Sequence, residues 1–218
     1  MKRIFASAFL LLTVCALSAQ NVQLHWDFER EHPTSTIEMF KPDDWGSTFF
    51  FIDFDYNEGD GEASSAYGEI AREWNIGDSG FAAHIEYNGG LTNEFSFGNA
   101  YLGGIAYNWL ADDFSKGISF QVMYKHITQT PTDKPHNFQL TTVWFYNFLN
   151  DKMTFNGFAD FWKEDMFTGK GYVFLAEPQI WYHVNDHFSW GTEIEFSNNF
   201  GGQTGFKVRP TAVVRWTF

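Results

Sequence analysis

Apolar and polar residues alternate along almost the whole chain. In VQLHWDFE, Val22, Leu24, Trp26 and Phe28 alternate with Gln23, His25, Asp27 and Glu29. In GISFQVMYK, Ile118, Phe120, Val122 and Tyr124 alternate with Ser119, Gln121, Met123 and Lys125. NFQLTTVWFYNF sets Phe138, Leu140, Trp144, Tyr146 and Phe148 against Asn137, Gln139, Thr141 and Asn147, and FSWGTEIEFS repeats the scheme with Phe188, Trp190, Ile194 and Phe196. A period of two places neighbouring side chains on opposite faces, so each segment predicts a β-strand with one apolar face. No later segment carries a convincing amphipathic-helix period.

The predicted strands run to about ten residues, long for a soluble sandwich but suited to a tilted strand crossing a bilayer. Their connections come in two kinds. GDSG (77–80), ADDFSK (111–116), NDK (150–152) and VNDH (184–187) are short, whereas those near 57–65, 89–99, 127–135, 164–170 and 199–204 are longer or richer in Gly and polar residues. Short turns at one end and long loops at the other are the pattern of an outer-membrane barrel, the short ones being periplasmic. Eleven strands are obvious, yet such single-chain barrels have even numbers. TSTIEMFK (34–41) supplies the missing descending strand, and PDDWG (42–46) becomes a turn. The expectation is an all-β, antiparallel, up-and-down transmembrane β-barrel of twelve strands, with ten as the alternative.

The two ends of the chain support export and membrane assembly. Lys2 and Arg3 precede an apolar run from Ile4 to Leu17 and then LSAQN, which reads as a secretory signal peptide. Cleavage is expected after Ala19, with Ser18 as the alternative, so residues 1–19 are signal and 20–218 the barrel domain. The run is short for a membrane anchor, and Val14 before Cys15 does not suit a lipoprotein signal. At the other end, Phe206, Val208, Pro210, Ala212, Val214, Trp216 and Phe218 share one face, with Lys207, Arg209, Thr211, Arg215 and Thr217 on the other. A last strand ending in an aromatic residue resembles the signal read by the barrel-assembly machinery, which makes that machinery, through Phe218, an expected partner. A secreted β-sandwich is the competing reading, and it would have no need of the terminal Phe218.

Composition sharpens this picture. Aromatic residues make up 20% of the 218, yet the mean hydropathy is −0.30. The rings are spread along the strands instead of forming long apolar runs. Cleavage would remove two of the 14 basic residues and none of the 27 acidic ones, moving the formal charge from −13 to −15. It would also remove Cys15, the one cysteine, leaving no disulfide framework. So acidic a chain makes a poor partner for nucleic-acid polymers.

STFFFIDFDY (47–56) holds rings on both faces of one strand. Parity turns Phe50, Ile52, Phe54 and Tyr56 to lipid, and Phe49, Phe51, Asp53 and Asp55 to the interior. The same parity sends Glu38, Glu69, Glu73, His84, Glu86, Phe158, Asp160, Glu177, Gln179, Glu193, Glu195, Lys207, Arg209 and Arg215 inward. Buried carboxylates require partners or water, and the cations of the last strand lie beside the Glu193–Glu195 strand for cross-strand pairing. These side chains either line a solute path or form a network that braces the wall. Arg72 falls on the lipid face, where it either snorkels to the nearby turn or is re-aimed by a bulge.

STIEMFKPDDWGSTFFFIDFDY (35–56) resembles the early hairpin of the nucleoside-specific channel (Tsx-like) family, in which an aromatic-acidic strand follows a Lys-Asp-Trp turn. FNGFADFWKED (155–165) resembles that family's Gly-Phe-x-x-Phe segment. The resemblance points to a shorter branch of the family and implies a narrow, monomeric twelve-stranded barrel passing nucleosides by diffusion. Phe49, Phe51, Asp53, Asp55, Phe158 and Asp160 would line its pore. A phenyl ring can stack on a base, and a carboxylate can accept ribose hydroxyls.

Other signals are weaker. DFDYNEGDGEAS places Glu58 and Ser64 where a calcium loop requires Gly and Glu, and His183 and His187 lack a third zinc ligand. His187-Phe188-Ser189 resembles the His-x-Ser of outer-membrane phospholipases, but its turn is periplasmic and Ser189 points inward. The expectation is therefore a non-enzymatic channel in the outer membrane of a Gram-negative bacterium. It would need no cofactor or metal, and its partners would be membrane lipid and a small-molecule solute. A lipid hydrolase and a closed structural or docking barrel are the alternatives.

Overall fold

The computed structural model describes residues 20–57, 61–165 and 171–218. The expected signal peptide and Glu58 of the calcium-like loop lie outside the described residues. The strands are β1 (Gln20–Asp27), β2 (Pro33–Asp43), β3 (Gly46–Asp55), β4 (Ser65–Asn75), β5 (Phe81–Thr92), β6 (Ala100–Leu110) and β7 (Lys116–Ile127), followed by β8 (His136–Phe148), β9 (Met153–Lys163), β10 (Tyr172–Ala176), β11 (Gln179–His183), β12 (Phe188–Asn198) and β13 (Phe206–Thr217). Each pairs antiparallel with its neighbours, and β1 closes the sheet on β13 from Asn21↔Thr217 to Asp27↔Thr211.

These thirteen segments form twelve staves, because β10 and β11 are two halves of one. Both halves hold one continuous register against β9 (Ala176↔Ala159, Gln179↔Asn156) and against β12 (Ala176↔Phe196, Gln179↔Glu193). The break falls at Pro178, which has no N–H for the ladder. The flanking groups still pair, with Glu177 N donating to Phe158 O (3.1 Å) and Ile194 N to Pro178 O (3.1 Å). Gly157 faces this break at φ 154°, and a Cβ there would sit 2.5 Å from Glu177 O. Glycine lets the two strands approach at the proline.

The strand over 34–41 is present as β2, and the twelve-stave count holds. β2 runs further than the sequence suggests, through Asp43, so the tight turn is Asp44–Trp45. Short connections gather at one end, at 44–45, 76–80, 111–115, 149–152 and 184–187. The other end carries 28–32, 93–99, 128–135 and 199–205, together with the described residues 56–57, 61–64, 164–165 and 171. We call these the turn end and the loop end.

The outer face is apolar from stave to stave, with Leu24, Ile70, Ile85, Ile105, Val122 and Trp190 all exposed. The inner face mixes buried polar groups, among them Gln23, His84, Lys125, Gln139, Glu195 and Arg209, with small apolar clusters. One of these joins Trp162, Val173 and Leu175 with Phe158 and Phe200. Closure satisfies every strand's ladder without an edge, which is what allows an apolar exterior to meet hydrocarbon.

Arg72 sits on the outer face beside the 44–45 turn. Register across β3–β4 and β4–β5 is continuous, so no bulge turns it inward. It donates to Asp43 Oδ2 and Oδ1 at 2.6 and 2.9 Å and to Thr48 Oγ1 at 3.0 Å, and lies 5.6 Å from the Trp74 ring centroid. It reaches toward the turn end, as the snorkelling reading expects.

Candidate functional site

Every side chain assigned inward by parity lies on the inner face. Cross-strand partners show this directly. Phe51 stands opposite both Glu38 and Glu69, Asp53 opposite Thr36 and Tyr67, Asp160 opposite Thr141 and Leu175, and Glu195 opposite Arg209. The strict two-residue alternation of uninterrupted ladders carries these positions.

The carboxylates fall into two groups that span the interior. In the first, Asp53 on β3 interacts electrostatically with Glu38 and with Glu193 on β12, and Glu177 interacts with Asp53, Glu193 and Glu195. Their polar partners are mostly neutral. Thr36 Oγ1 donates to Asp53 (2.5 Å), Asn21 Nδ2 to Glu38 (3.0 Å) and Gln179 Nε2 to Glu193 (2.5 Å). Near the loop end, Asp55 accepts from Thr34 (2.6 Å) and Ser65 (2.8 Å).

In the second group, Glu69 interacts with Glu86, Asp160 and Lys125. Tyr67 donates to Glu69 at 2.7 Å and Thr141 to Asp160 at 2.5 Å. Lys125 Nζ donates to Gln139 (2.7 Å) and lies 4.4 Å from the Trp162 ring centroid. Toward the turn end, His84 bridges Glu73 and Glu86, each contact being 3.1 Å, while Asn108 donates to Glu73 at 2.7 Å. Hydroxyls and amides orient these carboxylates, so the interior presents ordered hydrogen-bonding groups along its wall.

The last-strand cations behave differently from one another. Arg209 pairs with Glu195 (2.6 Å) and with Glu29 of the 28–32 loop (2.9 Å), and donates to Gln203 of the 199–205 loop (2.6 Å). Arg30 from the same loop as Glu29 also pairs with Glu195, and with Asp27 at 3.1 Å. Arg215 instead lies over the Trp181 ring, 4.1 Å from its centroid, and its Nε has no hydrogen-bond partner. Cross-strand pairing with Glu193 is therefore not what Arg215 does. The imidazole Nδ1 of His25 lies 3.7 Å from Glu193 Oε1. Lys207 stands opposite Ser197 near the loop end.

The rings sort similarly. Phe49 and Phe51 lie 6.0 Å apart on the inner wall of β3, whereas Phe158 packs into the cluster of Trp162, Val173 and Leu175. Sequence reasoning missed Tyr67, Lys125, Trp162, Trp181 and Arg30 as members of the interior. Parity was sufficient for the first four. Arg30 comes from a loop, where alternation gives no guidance. Outside the strands, Asp165 accepts from Thr132 N and Oγ1 at 2.6 Å each, tying two loops and holding its carboxyl below the ordinary range. Among the described residues no group of three metal-ligating side chains converges.

No curated protein matches the sequence. Among solved structures, the fold is similar to a KdgM porin, at 10% identity over 92% of this chain and 99% of that one, with a TM-score of 0.58. A KdgM porin in complex with disordered oligogalacturonate gives 11% identity with the same coverage and TM-score. A NanC porin matches at 11% identity, 92% and 99% coverage and a TM-score of 0.58. At such identity the likeness is one of fold. The family model described as a domain of unknown function, DUF5020, matches residues 19–218, and the chain belongs to that family.

Proposed function

We propose that this protein is an outer-membrane channel of a Gram-negative bacterium that passes small hydrophilic solutes by passive, selective diffusion, nucleosides first among them. The observation that carries this reading is the inner wall. Phe49 and Phe51 lie beside Asp53, Glu38 and Glu69 there, offering ring faces and hydrogen-bond acceptors together. That combination suits a solute with a planar or apolar face and several hydroxyl donors. An interior so rich in acids would favour neutral and cationic solutes over anions. This interior would disfavour a polyanion such as the oligogalacturonate of the KdgM complex.

Membrane lipid covers the outer face in this proposal, and the strand ending at Phe218 addresses the barrel-assembly machinery. A closed sheet needs no partner to protect an edge, which fits a monomer. The test is single-channel current through the refolded protein in a planar bilayer, with and without adenosine. Block by adenosine supports the nucleoside reading. Current indifferent to adenosine removes the nucleoside and leaves the channel.

A lipid hydrolase draws on one contact, His183 Nδ1 to Ser189 Oγ at 2.8 Å. The other imidazole nitrogen meets Thr154 Oγ1 at 2.8 Å instead of a carboxylate, and Ser189 is buried on the inner face. His187 of the His-x-Ser sequence turns to Thr217 O at 2.8 Å. This arrangement lacks the acid that orients a catalytic histidine and does not face lipid.

A further inference from the structure

The inner-wall rings do not stop at β3. Phe51 lies 6.1 Å from Tyr67 on β4, Tyr67 lies 6.3 Å from Phe97, and Phe97 lies 5.8 Å from Phe95. The last two belong to the 93–99 connection, which folds back onto β5. Phe97 N donates to Gly90 O at 2.8 Å, and Leu91 and Ser96 form an isolated bridge. Gly90 is what makes room, because a Cβ there would approach the Phe97 ring to 2.6 Å. Phe95, at the loop end, is 58% exposed. Five rings thus run without a gap from the exposed mouth to Phe49, deep on β3.

The ladder is one-sided. Its successive interplanar angles are 49°, 51°, 69° and 83°, so the rings offer a succession of differently tilted faces along the wall. Acceptors flank it at each step, Glu38 and Glu69 opposite Phe51, and Asp53 opposite Tyr67. The Tyr67 hydroxyl is already committed to Glu69 at 2.7 Å, which orients its ring between Phe51 and Phe97. A track of repeating ring faces with hydroxyl acceptors alongside matches a ligand whose own apolar faces and hydroxyls repeat.

We propose that Phe95, Phe97, Tyr67, Phe51 and Phe49 form a binding track for a linear, neutral oligosaccharide entering from the loop end. Each sugar rests its apolar ring face on a side-chain ring, while its hydroxyls donate to the flanking carboxylates. Successive near-equivalent positions let the chain advance without surrendering all contacts at once. The proposal rests on the channel reading for transport, but binding itself requires only the track.

The experiment measures maltohexaose, glucose, adenosine and hexagalacturonate against the refolded protein in two ways. Block of ionic current is read in a planar bilayer, and equilibrium binding is read by calorimetry in detergent. Maltohexaose is expected to bind about tenfold or more tightly than glucose, with hexagalacturonate weaker than either. Phe97→Ala should shorten maltohexaose block several-fold. Phe97→Leu, which keeps apolar bulk in the loop, should do the same if ring faces matter. Phe51→Ala gives a second reading on a strand, and heat-modifiable migration on gels verifies that each variant is folded. Length-dependent binding without current would uphold the track and defeat the channel. Current with equal affinity for glucose and maltohexaose, or folded ring variants with unchanged affinity, would overturn the track and leave the channel standing.

Discussion

Replacing Arg209 with methionine should destabilise the barrel by about 3 kcal/mol. The guanidinium is 3% exposed and holds Glu195, Glu29 and Gln203 at 2.6–2.9 Å. Removing one member of a buried ion pair costs about 3–5 kcal/mol, because the other charge is left behind in low dielectric. Glu195 is 5% exposed but keeps Arg30 and the Ser197 hydroxyl (2.6 Å), which places the loss at the lower end of that range. Methionine preserves most of the side-chain stem, so little of the loss comes from packing. The double variant Arg209→Met with Glu195→Gln removes the stranded charge and should recover about 1–2 kcal/mol. The assay is urea unfolding in lipid vesicles followed by tryptophan fluorescence, with migration on unheated gels confirming the starting fold. A loss below about 1 kcal/mol, the level of an exposed pair, would refute the reasoning from burial. A double variant no more stable than the single one would refute the stranded-charge explanation.

Asp53→Asn together with Asp55→Asn should leave the barrel folded and lower its preference for cations, read as a smaller reversal potential in a salt gradient. Unchanged selectivity would take both carboxylates out of the ion path. Phe49→Ala or Phe51→Ala should weaken adenosine block of the current, and no change would make these rings packing alone. Deleting Phe218 should slow membrane assembly in cells while the purified chain still refolds, measured by the folded fraction in outer-membrane extracts. Asp165 has a lowered carboxyl pKa, so its tie to Thr132 is fully present above the ordinary carboxylate range and fades as pH falls through the lowered value. Hydrogen exchange at the Thr132 amide should accelerate over that acid window, and Asp165→Asn should flatten the response.

The twelve-stave barrel was legible in the sequence because alternation is a direct consequence of the pleat. Evenness then demanded the strand over 34–41, which its own composition signals poorly. Parity also placed Glu38, Asp53, Glu69 and Glu177 correctly, since no bulge interrupts their ladders. Pro178 splits a stave without shifting its register, something that residue identity alone does not reveal. Which inward groups meet was not legible. Arg215 reads as a partner for the β12 carboxylates, yet its guanidinium settles on Trp181. Asp53 on β3 and Glu193 on β12 interact although they lie on separate staves, and sequence separation conveys nothing of that. The alternation predicts a first strand that runs through Phe28 and Glu29, but β1 ends at Asp27, so Glu29 and Arg30 come from a turn and Gln203 and Phe97 from other connections, where only folding back onto the wall gives them neighbours. The two segments resembling nucleoside channels gave β3 and β9 their inward rings and acids. Their equal standing did not survive, since Phe49 and Phe51 join a ladder while Phe158 is absorbed into an apolar cluster.

The reversal potential of single channels in a potassium chloride gradient tests the central claim most directly. A negatively charged, conducting interior predicts discrete current steps and a reversal potential displaced in the sense of cation selectivity, reduced as ionic strength rises. A demonstrably folded barrel that passes no current, or one that prefers anions, would contradict it.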